Sequence, residues 1–200
     1  MRHLVITIGC EYGAKGNAIG RKIAEDLNIK FYNRELVDEI IEEVGIPKEI
    51  MEKVEEGGTI AGKGAEGDVR GSFSKYADLT DRAIHVQKQI IRKLAEKESC
   101  VIIGRCANMI LKDYPNVLRV FVYGDWDFRI CEASKKLSGS TKDIEKFMHK
   151  DDKRKEDLSK RFMGVDWADM TKYNLCLDNG TLGYEKCIEE IESALEILKK

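Results

Sequence analysis

The chain has 200 residues, of which 42% are hydrophobic and 35% charged, with a formal net charge of −2. That length is enough for one domain with its own core. The balanced charge offers no general attraction to nucleic acid polymers or anionic membranes, and no stretch approaches the ~18–20 apolar residues of a membrane span. Met1-Arg2-His3 leads straight into an apolar run and leaves no room for a signal peptide, so a cytoplasmic location is expected. Cys10, Cys100, Cys106, Cys131, Cys176 and Cys187 form no C-x-x-C pair and no zinc spacing, as expected of reduced spectator thiols.

The first apolar run, Leu4-Val5-Ile6-Thr7-Ile8, reads as a strand and Ala18–Leu27 as a helix. Between them lies Gly9-Cys10-Glu11-Tyr12-Gly13-Ala14-Lys15-Gly16-Asn17. A glycine-bearing turn between a strand and a helix gathers backbone N–H groups at a helix N-terminus, where phosphate binds. Counted from Gly9, Lys15 falls on the lysine of the pattern G-x-x-x-x-G-K-[ST], with Ala14 in the sixth position and Gly16 in the eighth. Gly13, Ala14, Lys15, Gly16, Asn17 and Ala18 are therefore the expected phosphate cradle, and Lys15 the expected cation for the terminal phosphates.

A weaker strand, Ile29–Tyr32, precedes Asn33-Arg34-Glu35, which opens the next helix. Asn33 is either an ordinary N-cap or, with Arg34, part of a substrate crevice. Residues 57–75 are glycine-rich and thin in apolar mass, as in a lid, a binding loop or a surface insertion. Leu79, Ala83, Val86, Ile90 and Leu94 recur at helical spacing, and Cys100–Gly104 is the next strand. Arg105 ends that strand, at the edge where an acceptor would lie. Val117–Tyr123 and Asn174–Asp178 are the remaining strands, and Tyr184, Ile188, Ile191, Leu195 and Leu198 mark a closing helix.

Residues 140–163 form a charged, helix-compatible run. Lys153, Arg154 and Arg161 are its candidate mobile cations, with Arg154 and Arg161 seven apart on one helical face. Near-continuous apolar strands alternating with amphipathic helices predict a doubly wound α/β domain that binds ligands at the carboxyl ends of its strands.

Taken as an ordered set, Glu11–Lys22, Phe31–Leu36, Ile103-Gly104-Arg105-Cys106-Ala107, Asp152-Lys153-Arg154 and Tyr173–Leu177 resemble the cytidylate kinase-like proteins, relatives of bacterial cytidylate kinase among the P-loop nucleoside monophosphate kinases. The resemblance spans essentially the whole chain. It implies a single P-loop kinase-like domain with a five-stranded parallel sheet, helices on both faces and a helical lid near 140–163. The implied activity moves the γ-phosphate of ATP to a nucleoside monophosphate or another small phosphorylated acceptor.

By this resemblance Gly13, Lys15, Gly16 and Asn17 bind the donor phosphates, and Arg105 binds the acceptor phosphate. Lys153, Arg154 and Arg161 close over them, and Arg129, on the helix after the fourth strand, grips the acceptor. The family's threonine that helps hold Mg2+ is here Asn17. Its aspartate after Gly-Arg is Cys106, and its second-strand aspartate and following small hydroxyl residue are Asn33 and Arg34. These departures frame the alternative, a non-catalytic nucleotide or phosphate sensor with an eroded kinase site. A plain structural α/β domain is a third reading.

Overall fold

In the computed structural model, residues 3–47, 49–51 and 69–198 are described, the side chains of 69–81 excepted. Five strands, Val5–Cys10 (β1), Lys30–Tyr32 (β2), Cys100–Ile103 (β3), Val117–Tyr123 (β4) and Leu175–Asp178 (β5), form one sheet in the order β2-β3-β1-β4-β5. Every pairing is parallel. β1 lies at the centre, with Ile6 opposite Val101 on one side and Leu118 on the other. The chain leaves β1 toward the β2 edge and later crosses from β3 to β4 on the far side. That reversal opens a crevice at the carboxyl ends of the central strands.

The helices are Gly16–Asp26 (α1), Arg34–Glu43 (α2), Val69–Lys97 (α3), Ala107–Ile110 (α4), Trp126–Ser134 (α5), Thr141–Met163 (α6), Asn179–Leu182 (α7) and Tyr184–Leu198 (α8), with a 3-10 turn at Met170–Lys172. Successive strand residues feed opposite layers, because side chains alternate across a sheet. Val5, Cys100 and Ile102 join Val37, Ile41 and Ile91 of α2 and α3 in one core. Ile6, Ile8, Val101 and Ile103 join Ile19, Ile23, Ile188 and Ile191 of α1 and α8 in the other. Gly20 sets the approach of α1 to the sheet, since a Cβ there would come within 2.6 Å of Ile103 Cδ1.

One expectation changes. Residues 69–75, read from sequence as the end of a glycine-rich loop, lie in α3, which begins at Val69; residues 57–68 fall outside the described residues. The charged run 140–163 is a single helix, begun by a reciprocal capping box between Ser140 and Asp143 and ended at left-handed Gly164. It is docked rather than merely solvated. Ile144 and Met148 are buried against Ala133 of α5, with Tyr12, Trp126 and Ile130 packed around them. Among the described residues no helix is long and apolar enough to cross a membrane.

Burial pushes the thiol of Cys100 up to about 12 and that of Cys187 up to about 11. The unfolded chain releases these protons at the ordinary thiol value near 9, so the native state holds more protons between that value and its own. Stability contributed by these thiols is therefore complete below pH 9 and falls as the pH rises above it. Urea unfolding followed by fluorescence should show the midpoint dropping from pH 8.5 to pH 10.5 (about two decades of proton activity), with a smaller drop in the Cys100→Ala/Cys187→Ala variant. Equal drops in the two proteins would contradict this account.

Candidate functional site

β1 runs out at Cys10, and the chain turns through Glu11–Lys15 into α1. Ala14 N–H donates back to Glu11 O at 3.2 Å, which tightens the turn. Gly13 is left-handed (φ 85°), and a Cβ on it would stand 2.4 Å from the Arg129 carbonyl oxygen. Its glycine is demanded by contact with α5, not by a ligand. Lys15, the last residue before α1, is left-handed as well (φ 65°), a conformation that usually selects glycine. Gly16 begins the helix beside Cys10, where a Cβ would meet Cys10 Cβ at 2.5 Å and Sγ at 2.7 Å.

The amides of Lys15, Gly16, Asn17 and Ala18 have no intrahelical carbonyl to bond, as at any helix start. Gly16 N–H is directed to the Cys10 sulfur. Among the described residues, the N–H groups of Gly13, Lys15, Asn17 and Ala18 find no acceptor. They border a cavity walled on its far side by Glu132, Lys136 and Lys155. This is a helix N-terminus with unspent donors, suited to an anion.

A second cavity lies at the carboxyl ends of β1 and β3. Arg34, Arg105, Arg154 and Lys155 line it, along with Asn108, Trp167 and Tyr173, and its described lining includes no carboxylate. The acids stand behind the cations. Asp38 is paired with Arg105 and, at 3.8 Å, with Arg34, and Asp151 holds Arg154 at 2.7 Å. Gly104, Arg105 and Cys106 are consecutive left-handed residues (φ 70°, 56° and 54°). Strain of this kind persists only where surrounding contacts enforce it. Here Gln87 Nε2 donates to Arg105 O at 3.2 Å, and Arg105 is buried. Burial pushes the Cys106 thiol up to about 11 against the lowering effect of Arg105, which keeps it neutral in this wall. On the cavity floor the buried Thr7 hydroxyl has no partner among the described residues.

The two cavities share Cys10 and Lys155. Lys155 Nζ donates to Cys10 O at 3.0 Å and pairs with Asp151 at 2.8 Å and Asp152 at 3.2 Å. Burial alone would lower its pKa, but Cys10, Asp151 and Asp152 outweigh that and raise it, so it stays an ammonium. Asp151 shows the complement: burial opposes its ionisation, while Lys155 and Arg154 hold its carboxyl below the usual range.

Several sequence expectations are redirected. Arg129 lines neither cavity. Its buried guanidinium donates to Tyr12 O at 2.8 Å, pairs with Glu11 at 3.4 Å and with Asp152, and covers the Trp126 ring. Lys153 points outward, its side chain 60% exposed against 23% for Lys155, and pairs with Glu156 and Asp157. Arg161 lies one to two turns beyond, beside His85, Lys88 and Phe162, and lines neither cavity. Seven residues keep Arg154 and Arg161 on one face and set their backbones about 10 Å apart along it.

Asn33 is the α2 N-cap, accepting Leu36 N–H at 3.0 Å, and only its neighbour Arg34 reaches the crevice. Lys15 borders the turn cavity, but its Nζ is 3.4 Å from Glu132 and 5.3 Å from the Tyr184 ring centre. Lys155, Asp151, Asp152 and Glu11 are site residues that sequence reasoning passed over.

Comparison with known proteins agrees with this geometry. The model of the cytidylate kinase-like family matches residues 5–181. The chain belongs to the cytidylate kinase-like family. It is 26% identical over 132 residues to a cytidylate kinase of Archaeoglobus fulgidus, a match covering 64% of this chain and 70% of that one. Among solved structures, an uncharacterized protein from Eubacterium ventriosum superposes with TM-score 0.75 and 26% identity, over 97% of this chain and 99% of that one. A shikimate kinase from Bacteroides thetaiotaomicron, at TM-score 0.55 and 14% identity over 96% and 98% of the two chains, shares the fold. The family is nucleotide kinase-like, and the all-parallel five-stranded sheet is the P-loop kinase architecture.

Removing the guanidinium that joins turn, α5 and α6 leaves Glu11 and Asp152 without their cation. Arg129→Ala should cost about 3–5 kcal/mol of stability, measured by urea unfolding. Gly13→Ala, which drives a methyl into the Arg129 carbonyl, should also destabilise, and a loss under about 0.5 kcal/mol in either variant would contradict the arrangement.

Proposed function

We propose that this chain transfers the γ-phosphoryl group of ATP to a nucleoside monophosphate or a similarly small phosphorylated acceptor. The observation that carries the reading is the meeting of two cavities at Cys10 and Lys155, one bordered by unspent helix amides and the other by three arginines. Donor phosphates fit the first, where the amides of Gly13, Lys15, Asn17 and Ala18 and the positive end of α1 supply donors. Acceptor phosphate fits the second, where Arg34, Arg105 and Arg154 present planar, permanently charged forks.

Phosphoryl transfer needs little covalent help from the protein. An oxygen of the acceptor phosphate attacks the γ-phosphorus, the bond to the bridging oxygen breaks, and ADP leaves with that electron pair. A phosphate oxygen that is already anionic needs no base to remove a proton. The chain's task is to set the two groups in line and to balance their charge.

Among the described residues no cluster of three His, Cys, Asp or Glu side chains could hold a metal. Mg2+ in kinases takes most of its ligands from phosphate and water, and Asn17 at the turn is the neutral oxygen ligand on offer. Bound there, the ion would neutralise charge on the transferring phosphates. With Cys106 in place of a carboxylate in the acceptor wall, the proposed acceptor is selected by its anionic group more than by its sugar hydroxyls.

A coupled ADP-release assay over the nucleoside monophosphates and small phosphorylated alcohols tests the proposal. Turnover with at least one acceptor is expected, and Arg34→Ala should raise that acceptor's KM roughly tenfold or more, the loss of one charge-assisted hydrogen bond, while the KM for ATP holds. Tight ATP binding with no turnover on any acceptor would favour the nucleotide-sensor reading instead.

A further inference from the structure

The turn that should carry the phosphate-binding lysine holds its ammonium against an acid of the cavity wall. Its first helical position is closed, because any side chain at Gly16 would run into Cys10 Cβ, 2.5 Å from the new carbon and fixed by the backbone of β1. The position before it holds a lysine, but in the left-handed conformation, and that residue's ammonium is drawn to Glu132 and the face of Tyr184. The amides remain in place, while the ammonium of Lys15 lies against Glu132 in the wall of the turn cavity.

Another ammonium occupies the junction. Lys155 comes from α6, whose inner face is fixed by Ile144 and Met148, and it is the only described cation that borders both cavities. Three acceptors, Cys10 O, Asp151 and Asp152, fix its Nζ at the end of β1, between the turn amides and the arginines. Asp152 is itself held by Tyr12 N–H at 2.9 Å and by Arg129, so the ammonium's anchor is rigid. A charge held in place before substrate arrives stabilises charge developing in the transition state without reorganisation.

We infer that Lys155, from the lid helix, is the catalytic cation of this site, lying against the transferring phosphoryl group in the role a lysine of the turn would otherwise fill. The inference rests on the phosphotransfer reading. Bond making and breaking are unchanged: the acceptor oxygen bonds to the γ-phosphorus, ADP departs, and Lys155 keeps its protons throughout.

The test compares Lys155→Met, Lys155→Arg and Lys15→Ala in the full chain. Lys155→Met should lower kcat about 10²–10³-fold, with both KM values within a few-fold of wild type, the size of effect seen when one preorganised donor is lost. Lys155→Arg should recover part of kcat, and Lys15→Ala should cost less than tenfold. Asp151→Asn/Lys155→Met removes the ion pair as a unit, and circular dichroism and the thermal midpoint show that it folds; it should lose kcat as Lys155→Met does. A merely structural lysine would lower the midpoint and leave the kcat of the folded protein intact, and that result would overturn the inference, as would a larger loss in Lys15→Ala than in Lys155→Met. If the wild-type protein turns over no acceptor, the phosphotransfer reading falls by itself. Calorimetry with ATP then decides the place of the cation: binding weakened at least tenfold more by Lys155→Met than by Lys15→Ala supports Lys155, and equal weakening contradicts it.

Discussion

The guanidinium of Arg129 is buried where three parts of the chain converge. It bonds the carbonyl of Tyr12 in the turn, the carboxyl of Glu11 before it, and Asp152 on the lid helix, while its own backbone carbonyl presses on Gly13. A charge this deep is tolerated only when its hydrogen-bonding capacity is met, which makes the arrangement all-or-none. Without it the turn and α6 would be joined only by Tyr12 N–H to Asp152, Lys155 to Cys10 O and the packing of Tyr12 on Phe147. The aromatic layer of Trp126 and His149, stacked at 4.4 Å, and the contact of Tyr12 with Phe147 at 5.1 Å extend the same joint outward.

From that joint the chemistry follows by position. The parallel sheet brings the carboxyl ends of β1 and β3 together, the turn after β1 exposes amides, and the strained end after β3 delivers Arg105. In the cavity at the ends of β1 and β3 the cations face inward, and the acids that fix them stand behind. Ligand charge is thus met by side chains already locked in place, the condition under which electrostatic stabilisation is strongest. α6, docked by Met148 and Asp152, holds Lys155 beside both cavities.

Much of the architecture was legible in sequence because parallel strands carry long apolar runs. Val117–Tyr123 has the same bounds in structure as in pattern, and the helix 184–198 follows its apolar repeat to the end. The order of turn, Gly-Arg strand end and charged helix correctly located a kinase-like fold. The failures cluster where polar residues face inward. In α6 the inward stripe runs Ile144, Met148, Asp152, Lys155 and Ser159, at helical spacing, with Asp152 and Lys155 half-buried and only two members apolar. Phasing the helix from those two would have put Lys155 inside and Lys153 outside. Arg129 was misplaced because sequence cannot distinguish an arginine reserved for a ligand from one consumed by its own fold. Nor does spacing reveal that Lys15 adopts a left-handed backbone or that its ammonium lies beside Glu132.

The account stands on the turn's amides converging on an anion, and one measurement addresses that directly. Titrating the 15N-labelled protein with ATP and following each amide resonance should give the largest shifts at Gly13, Lys15, Gly16, Asn17 and Ala18, saturating together with a single Kd. Shifts confined to the surface around His85 and Arg161, or a turn that does not respond at saturating ATP, would contradict it.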